Sequence, residues 1–151
     1  MSGFLRLALI PFLLGVLVGC ERDPLTLDAK VVGDSIEVTL VNRAHESLVV
    51  DADIVFGENL QVQLDPIRGA APPRVKMLED SFGLEMTAPM NYLGPGERVV
   101  TTITNEMMRH YYSLSGCYNL VFRYVPWEDK GGLGALEVIE SKPIRWCAQG
   151  D

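Results

Sequence analysis

The chain is 151 residues long and carries 13 Lys and Arg against 20 Asp and Glu, three Cys, and 48% hydrophobic residues. This length holds one ordinary domain and is too short for two, and the spread of aromatic and β-branched residues excludes intrinsic disorder. A formal net charge of -7 excludes binding through the basic footprint that nucleic acids require, so no nucleic-acid partner is expected.

Residues 1–19 place one positive charge, Arg6, ahead of an uncharged apolar run over residues 7–19, which is the layout of a secretory signal peptide. A transmembrane helix needs roughly 20 apolar residues. This run is shorter and is followed at once by Cys20 and the polar Glu21-Arg22-Asp23-Pro24, so cleavage on maturation is expected. Leu17-Val18-Gly19-Cys20 resembles the lipobox of bacterial lipoproteins, in which apolar residues and a small residue precede the cysteine that is lipidated. An ordinary secretory signal with a coincidental cysteine is the alternative. The resemblance implies that Cys20 becomes the first residue of the mature chain, bearing a diacylglyceryl thioether and an amide-linked acyl chain. More than one acyl chain gives stable membrane anchoring, at about 0.8 kcal/mol per buried methylene. In that family an aspartate after the cysteine favours retention in the inner membrane. Glu21 therefore implies the outer membrane of a Gram-negative envelope, with the domain facing the periplasm. Residues 20–24 then form the lipidated cysteine and a short tether, and residues 25–149 the folded domain. From Cys20 onward the chain keeps all 20 acidic and 12 of the 13 basic residues, a net charge of -8.

The body reads as a series of short strands. Residues 25–32 alternate, and residues 35–42 set Ile36, Val38 and Leu40 against Glu37, Thr39 and Val41, the period of a half-buried strand. After the polar turn Arg43-Ala44-His45-Glu46-Ser47, a strand over residues 48–56 places Leu48, Val50, Ala52, Ile54 and Phe56 on one face, with Val49, Asp51, Asp53 and Val55 on the other. Leu60, Val62 and Leu64 continue the pattern. Five prolines interrupt residues 65–96, leaving short strands near 74–77 and 83–86 and a long loop over 66–93. Pro95-Gly96 turns the chain into a strand over 97–104, and residues 105–112 form a single helical turn.

Residues 118–125 and 135–144 read as strands joined by the turn Gly131-Gly132-Leu133-Gly134. Antiparallel partners about Gly132 have numbers adding to about 264, as those of Cys117 and Cys147 do. In an exported chain these two cysteines form a disulfide by default. A redox or metal thiol pair would show C-x-x-C spacing, which is absent here.

About seven or eight strands with turns every 8 to 12 residues indicate an all-β fold, a single antiparallel β-sandwich. Leu93-Gly94-Pro95-Gly96-Glu97, then Tyr111-Tyr112-Ser113-Leu114-Ser115-Gly116-Cys117-Tyr118 and Phe122-Arg123-Tyr124, resemble a pattern in Ig-like bacterial domains. These include small secreted modules and the non-catalytic domains that precede some deuterolysin-like proteases. The resemblance implies an Ig-like sandwich with a Leu-x-Pro-Gly-Glu edge turn and a tyrosine-bearing corner. The sequence has no His-Glu-x-x-His motif, so protease activity does not carry over.

Candidate chemistry is sparse. His110 beside Met107 and Met108, with Met77, Met86 and Met90 further off, raises a copper reading. Set against it, Met is a common core filler, and no metal ligand or cofactor is assigned. Asp51 and Asp53 share one face of their strand, where a solvated surface is the plain expectation, and their spacing is not that of a calcium loop. Ser113 and Ser115 lack a Gly-x-Ser-x-Gly elbow, and no catalytic residue is assigned. Arg109, Arg123 and Arg145 with Trp127, Trp146, Tyr111, Tyr112 and Tyr124 could build an interface surface, although Trp146 and Tyr124 also suit a core. The expectation is a non-enzymatic, lipid-anchored envelope module that binds another envelope protein through the loop at 66–93 or a strand edge. A periplasmic protease inhibitor and a metal or small-ligand carrier are the alternatives.

Overall fold

A computed structural model describes residues 23–76, 90–126 and 138–148. In chain order the elements are β1 (Leu25–Val32), β2 (Ser35–Asn42), β3 (Leu48–Asp51), β4 (Leu60–Pro66), β5 (Arg74–Val75), β6 (Met90–Leu93), β7 (Arg98–Ile103), α1 (Asn105–Tyr111), β8 (Tyr112–Ser113), β9 (Cys117–Tyr124), β10 (Ile139–Glu140) and β11 (Ile144–Cys147). All strand pairs are antiparallel.

β1 and β2 form a hairpin from Leu25 opposite Asn42 to Val32 opposite Ser35. A two-residue turn of this kind requires positive φ, and Gly33 supplies it at 63°. β7 joins the far side of β2, so the first sheet runs β1-β2-β7. The second sheet is centred on β9, with β4 on one side and β10 followed by β11 on the other. β3 pairs with β6 and β5 with β8 in two small ribbons. The chain leaves β2 for β4 in the other sheet, returns as β7 beside β2, and crosses again as β9 beside β4. This is the Greek-key connectivity of an immunoglobulin-type sandwich.

Period-two alternation builds the core. Tyr118, Leu120, Phe122 and Tyr124 of β9 are fully buried against Leu25 and Leu27 of β1 and Ile36, Val38 and Leu40 of β2. α1 closes the cluster by placing Met108 inside it. The helix starts where Thr104 Oγ1 accepts the Met107 N–H at 3.2 Å, with Glu106 in its first turn; both are N-terminal signals. Asn42, also buried, holds the end of β2 to its surroundings: Nδ2 donates to the Leu93 and Glu46 carbonyls at 2.7 and 2.8 Å, and Oδ1 accepts the Ala44 N–H.

Four expectations change. The strand over 48–56 stops at Asp51, because the following residues turn to make side-chain hydrogen bonds instead of ladder bonds. The strand over 135–144 divides into β10 and β11. Glu140 faces Arg123 and Ile144 faces Leu120, so β9 advances three positions while its partner advances four, which is a β-bulge. At the bulge the Ser141 N–H donates to the Phe122 carbonyl at 2.8 Å, and Ser141 Oγ takes the place of a ladder carbonyl by accepting the Phe122 N–H at 3.0 Å. Pro143, which lacks an N–H, fits the interrupted ladder. The expected register about Gly132 therefore holds in β11 and is off by one in β10; Gly131 to Gly134 lie outside the described residues. The strand near 74–77 is only Arg74–Val75, and the 66–93 stretch is not one loop, since it contains β5 and β6. The strand near 83–86 lies outside the described residues.

Candidate functional site

Among the described residues, a connected group of buried polar side chains is centred on Asp51. The Tyr124 hydroxyl donates to Asp51 Oδ2 at 2.7 Å and accepts the Asp51 N–H at 3.1 Å. Asn59 Nδ2 donates to the same Oδ2 at 3.0 Å and to the Asp53 carbonyl at 2.9 Å, while Asn59 Oδ1 accepts the Val55 N–H at 2.7 Å. The Val125 N–H then donates to the Asn59 carbonyl. All three side chains are buried. The arrangement fastens the turn after β3 to the end of β9, with Asp51 Oδ2 accepting from two buried protein donors, as burial of such groups requires. Asp51 and Asp53 therefore do not form a pair on one outer face: the strand ends between them, Asp51 turns inward and Asp53 is exposed. An aspartate inside the apolar run Val49-Val50-Asp51-Ala52-Asp53-Ile54-Val55 was the available signal. Its partner Tyr124, 73 residues away, was not legible.

Burial pushes the Tyr124 hydroxyl well above the ordinary tyrosine value of 10.0; the hydrogen bond from the Asp51 N–H opposes this, and the Asp51 carboxylate adds to it. Tyr112 is raised too, by burial and then by Tyr111. A raised folded-state value means that the native state holds the proton more tightly than the unfolded chain. The associated stability is complete below about pH 10 and is lost as pH rises through the raised value. Alkaline titration should therefore show Tyr124 ionising only together with unfolding, and Tyr124→Phe should make stability flatter between neutral pH and high pH. Tyrosinate absorbance recorded alongside circular dichroism checks this; early ionisation of every tyrosine in the folded state would contradict it.

Cys117 and Cys147 face each other as register partners and are joined by a disulfide. Because Tyr118 and Trp146 point into the core, the two sulfurs lie on the outer face of the second sheet. Next to them, the Tyr118 hydroxyl accepts the Ser115 N–H at 3.0 Å and lies 2.8 Å from the Ala71 carbonyl. This is the geometry of a tyrosine corner. Gly116 at the corner has φ 98°, and a Cβ there would come within 2.9 Å of the Ala70 backbone, so only glycine fits.

The other singled-out residues disperse. Trp146 and Tyr124 are core residues, Arg123 pairs with Glu140 at 2.9 Å, and Arg145 and Arg109 are exposed, so the aromatic and guanidinium surface does not assemble; Trp127 lies outside the described residues. Met108 is buried in the core, whereas His110 is exposed and packs edge-on against Tyr111. Met77 and Met86 lie outside the described residues, and Met90 is half-exposed on β6. Ser113 and Ser115 are exposed beside Leu114. Among the described residues no group of three or more His, Cys, Asp or Glu could hold a metal ion. Cys20 and the rest of the lipobox lie outside the described residues, and no described helix is long and apolar enough to cross a membrane.

A groove of about 570 Å³ lies between β1 and β10. These are the edge strands of the two sheets on one side of the sandwich. Asp23, Asp28 and Glu140 line it together with Arg43 and Lys142, a mixed-charge rim over Leu25 and Leu27. The groove was not foreseen, because it depends on two edges distant in sequence. No family model, no curated protein and no solved structure matches the chain.

Proposed function

We propose that this chain is a lipid-anchored module of a Gram-negative envelope, held in the outer membrane through Cys20, facing the periplasm, and acting by binding or assembly without catalysis. The observation that carries the reading is Leu17-Val18-Gly19-Cys20 after an apolar run, five residues before the first strand starts at Leu25. The disulfide supports export, since such bonds persist in oxidising compartments. With Cys117 and Cys147 bonded to each other, Cys20 is the cysteine outside that bond. Among the described residues no strand pairs with the outer edges of β1 and β7, which supports binding, because an exposed edge can take a partner strand.

The test is to express the full-length chain in a Gram-negative host and compare it with Cys20→Ala. The expected result is a wild-type chain that partitions into detergent, fractionates with outer membranes and carries acyl groups on an N-terminal Cys20, with all three properties lost in the variant. A wild-type chain recovered without acyl groups from the soluble periplasm would overturn the anchor.

A further inference from the structure

We propose that the outer edge of β1 is a self-association surface, on which a second copy of this chain adds its own β1 antiparallel about Ala29. Across the two-residue turn, Val32 and Ser35 are register partners, and in such a hairpin they exchange hydrogen bonds. Every second residue of β1 then aims its N–H and C=O at β2; the Arg43 N–H donating to the Pro24 carbonyl at 2.7 Å continues the same series. The odd-numbered residues Leu25, Leu27, Ala29 and Val31 therefore aim theirs away from the sheet, where no described strand pairs with them.

Two copies paired about Ala29 set Ala29 against Ala29 and Leu27 against Val31, so that outward-aimed groups meet outward-aimed groups. The same register sets Asp28 opposite Lys30 of the second copy, and Lys30 opposite its Asp28, in the closer non-hydrogen-bonded positions. Within one chain Asp28 already lies 4.0 Å from Arg43, and Lys30 lies 2.7 Å from Glu37, so the pairing completes a row of alternating charge across both copies. The neighbouring registers that preserve backbone phase oppose Asp28 to Asp28 or Lys30 to Lys30, and like charges directly opposite are destabilising. Val31 and Val32, 44% and 50% exposed, would then lie opposite Leu27 and Thr26. β7, at the other end of the sheet, offers no such match, because Arg98 is the single charged residue of the whole strand. Charge complementarity with itself thus selects β1 and a second copy as its occupant.

This inference concerns the partner and is independent of the anchor. The experiment co-expresses two differently tagged full-length chains and measures co-purification after mild detergent extraction, with circular dichroism and the intact Cys117–Cys147 bond as controls for folding. Wild-type copies should co-purify. Asp28→Lys in both copies should lower recovery roughly tenfold, as should Lys30→Asp in both. Pairing an Asp28→Lys copy with a Lys30→Asp copy should restore it. Wild-type copies that never co-purify, or Asp28→Lys copies that pair as well as wild type, overturn the inference. A chain that fractionates with membranes but stays monomeric does so while leaving the anchor reading intact.

Discussion

Asp51→Ala should destabilise the domain by about 2–5 kcal/mol, because it leaves the Tyr124 hydroxyl and the Asn59 amide buried without their shared acceptor, and each such group costs about 1–3 kcal/mol. The geometry makes the loss local as well as global. Asn59 holds the turn between β3 and β4 through the Val55 N–H and the Asp53 carbonyl, so hydrogen exchange over this turn should accelerate more than in β2 or β9. Tyr124→Phe removes the donor and keeps the ring, and should cost less, about 1 kcal/mol. Combining the two changes should cost less than their sum, since the hydroxyl left stranded by Asp51→Ala is then absent. Urea unfolding of the two single variants and the double variant measures the coupling. Strict additivity would show that the 2.7 Å contact contributes nothing.

Replacing both Cys117 and Cys147 with alanine should lower stability by about 3–4 kcal/mol, the chain-entropy value for a loop of this length, since 30 residues separate the two. That is a large share of the total for a domain of this size. The loss should appear as a lower urea midpoint with a somewhat larger slope, because the uncrosslinked unfolded chain exposes more surface. A change below about 1 kcal/mol would mean that the unfolded chain keeps β9 and β11 together without the bond.

Much of the framework follows from alternation alone. Residues 25–32 and 35–42 become β1 and β2 without change, because each pairs a clean period of two with a glycine turn. The cysteine pairing followed from hairpin arithmetic. What escaped it was the bulge, where Ser141 supplies with its side chain what a strand would supply with its backbone; Pro143 marked the interruption but not its size. Asp51 escaped for a different reason. A carboxylate reads as a surface group until the hydroxyl that satisfies it is known, and that hydroxyl sits at the far end of β9. The candidate groove was illegible in the same way, since β1 and β10 meet only once both sheets have formed.

The position of the disulfide has a consequence for biogenesis. In sandwiches whose bond crosses the core, the sulfurs must join before or while the layers close. Here the bond ties neighbouring strands of one sheet on its outer face, and Cys147 is exposed. The inward-facing pair Trp146 and Tyr118 aligns β11 with β9, so the thiols of the folded, reduced domain already oppose each other where an oxidase can reach them. Access and thiolate fraction govern such exchange. Oxidation is therefore able to follow folding, with the bond closing on strands that are already aligned.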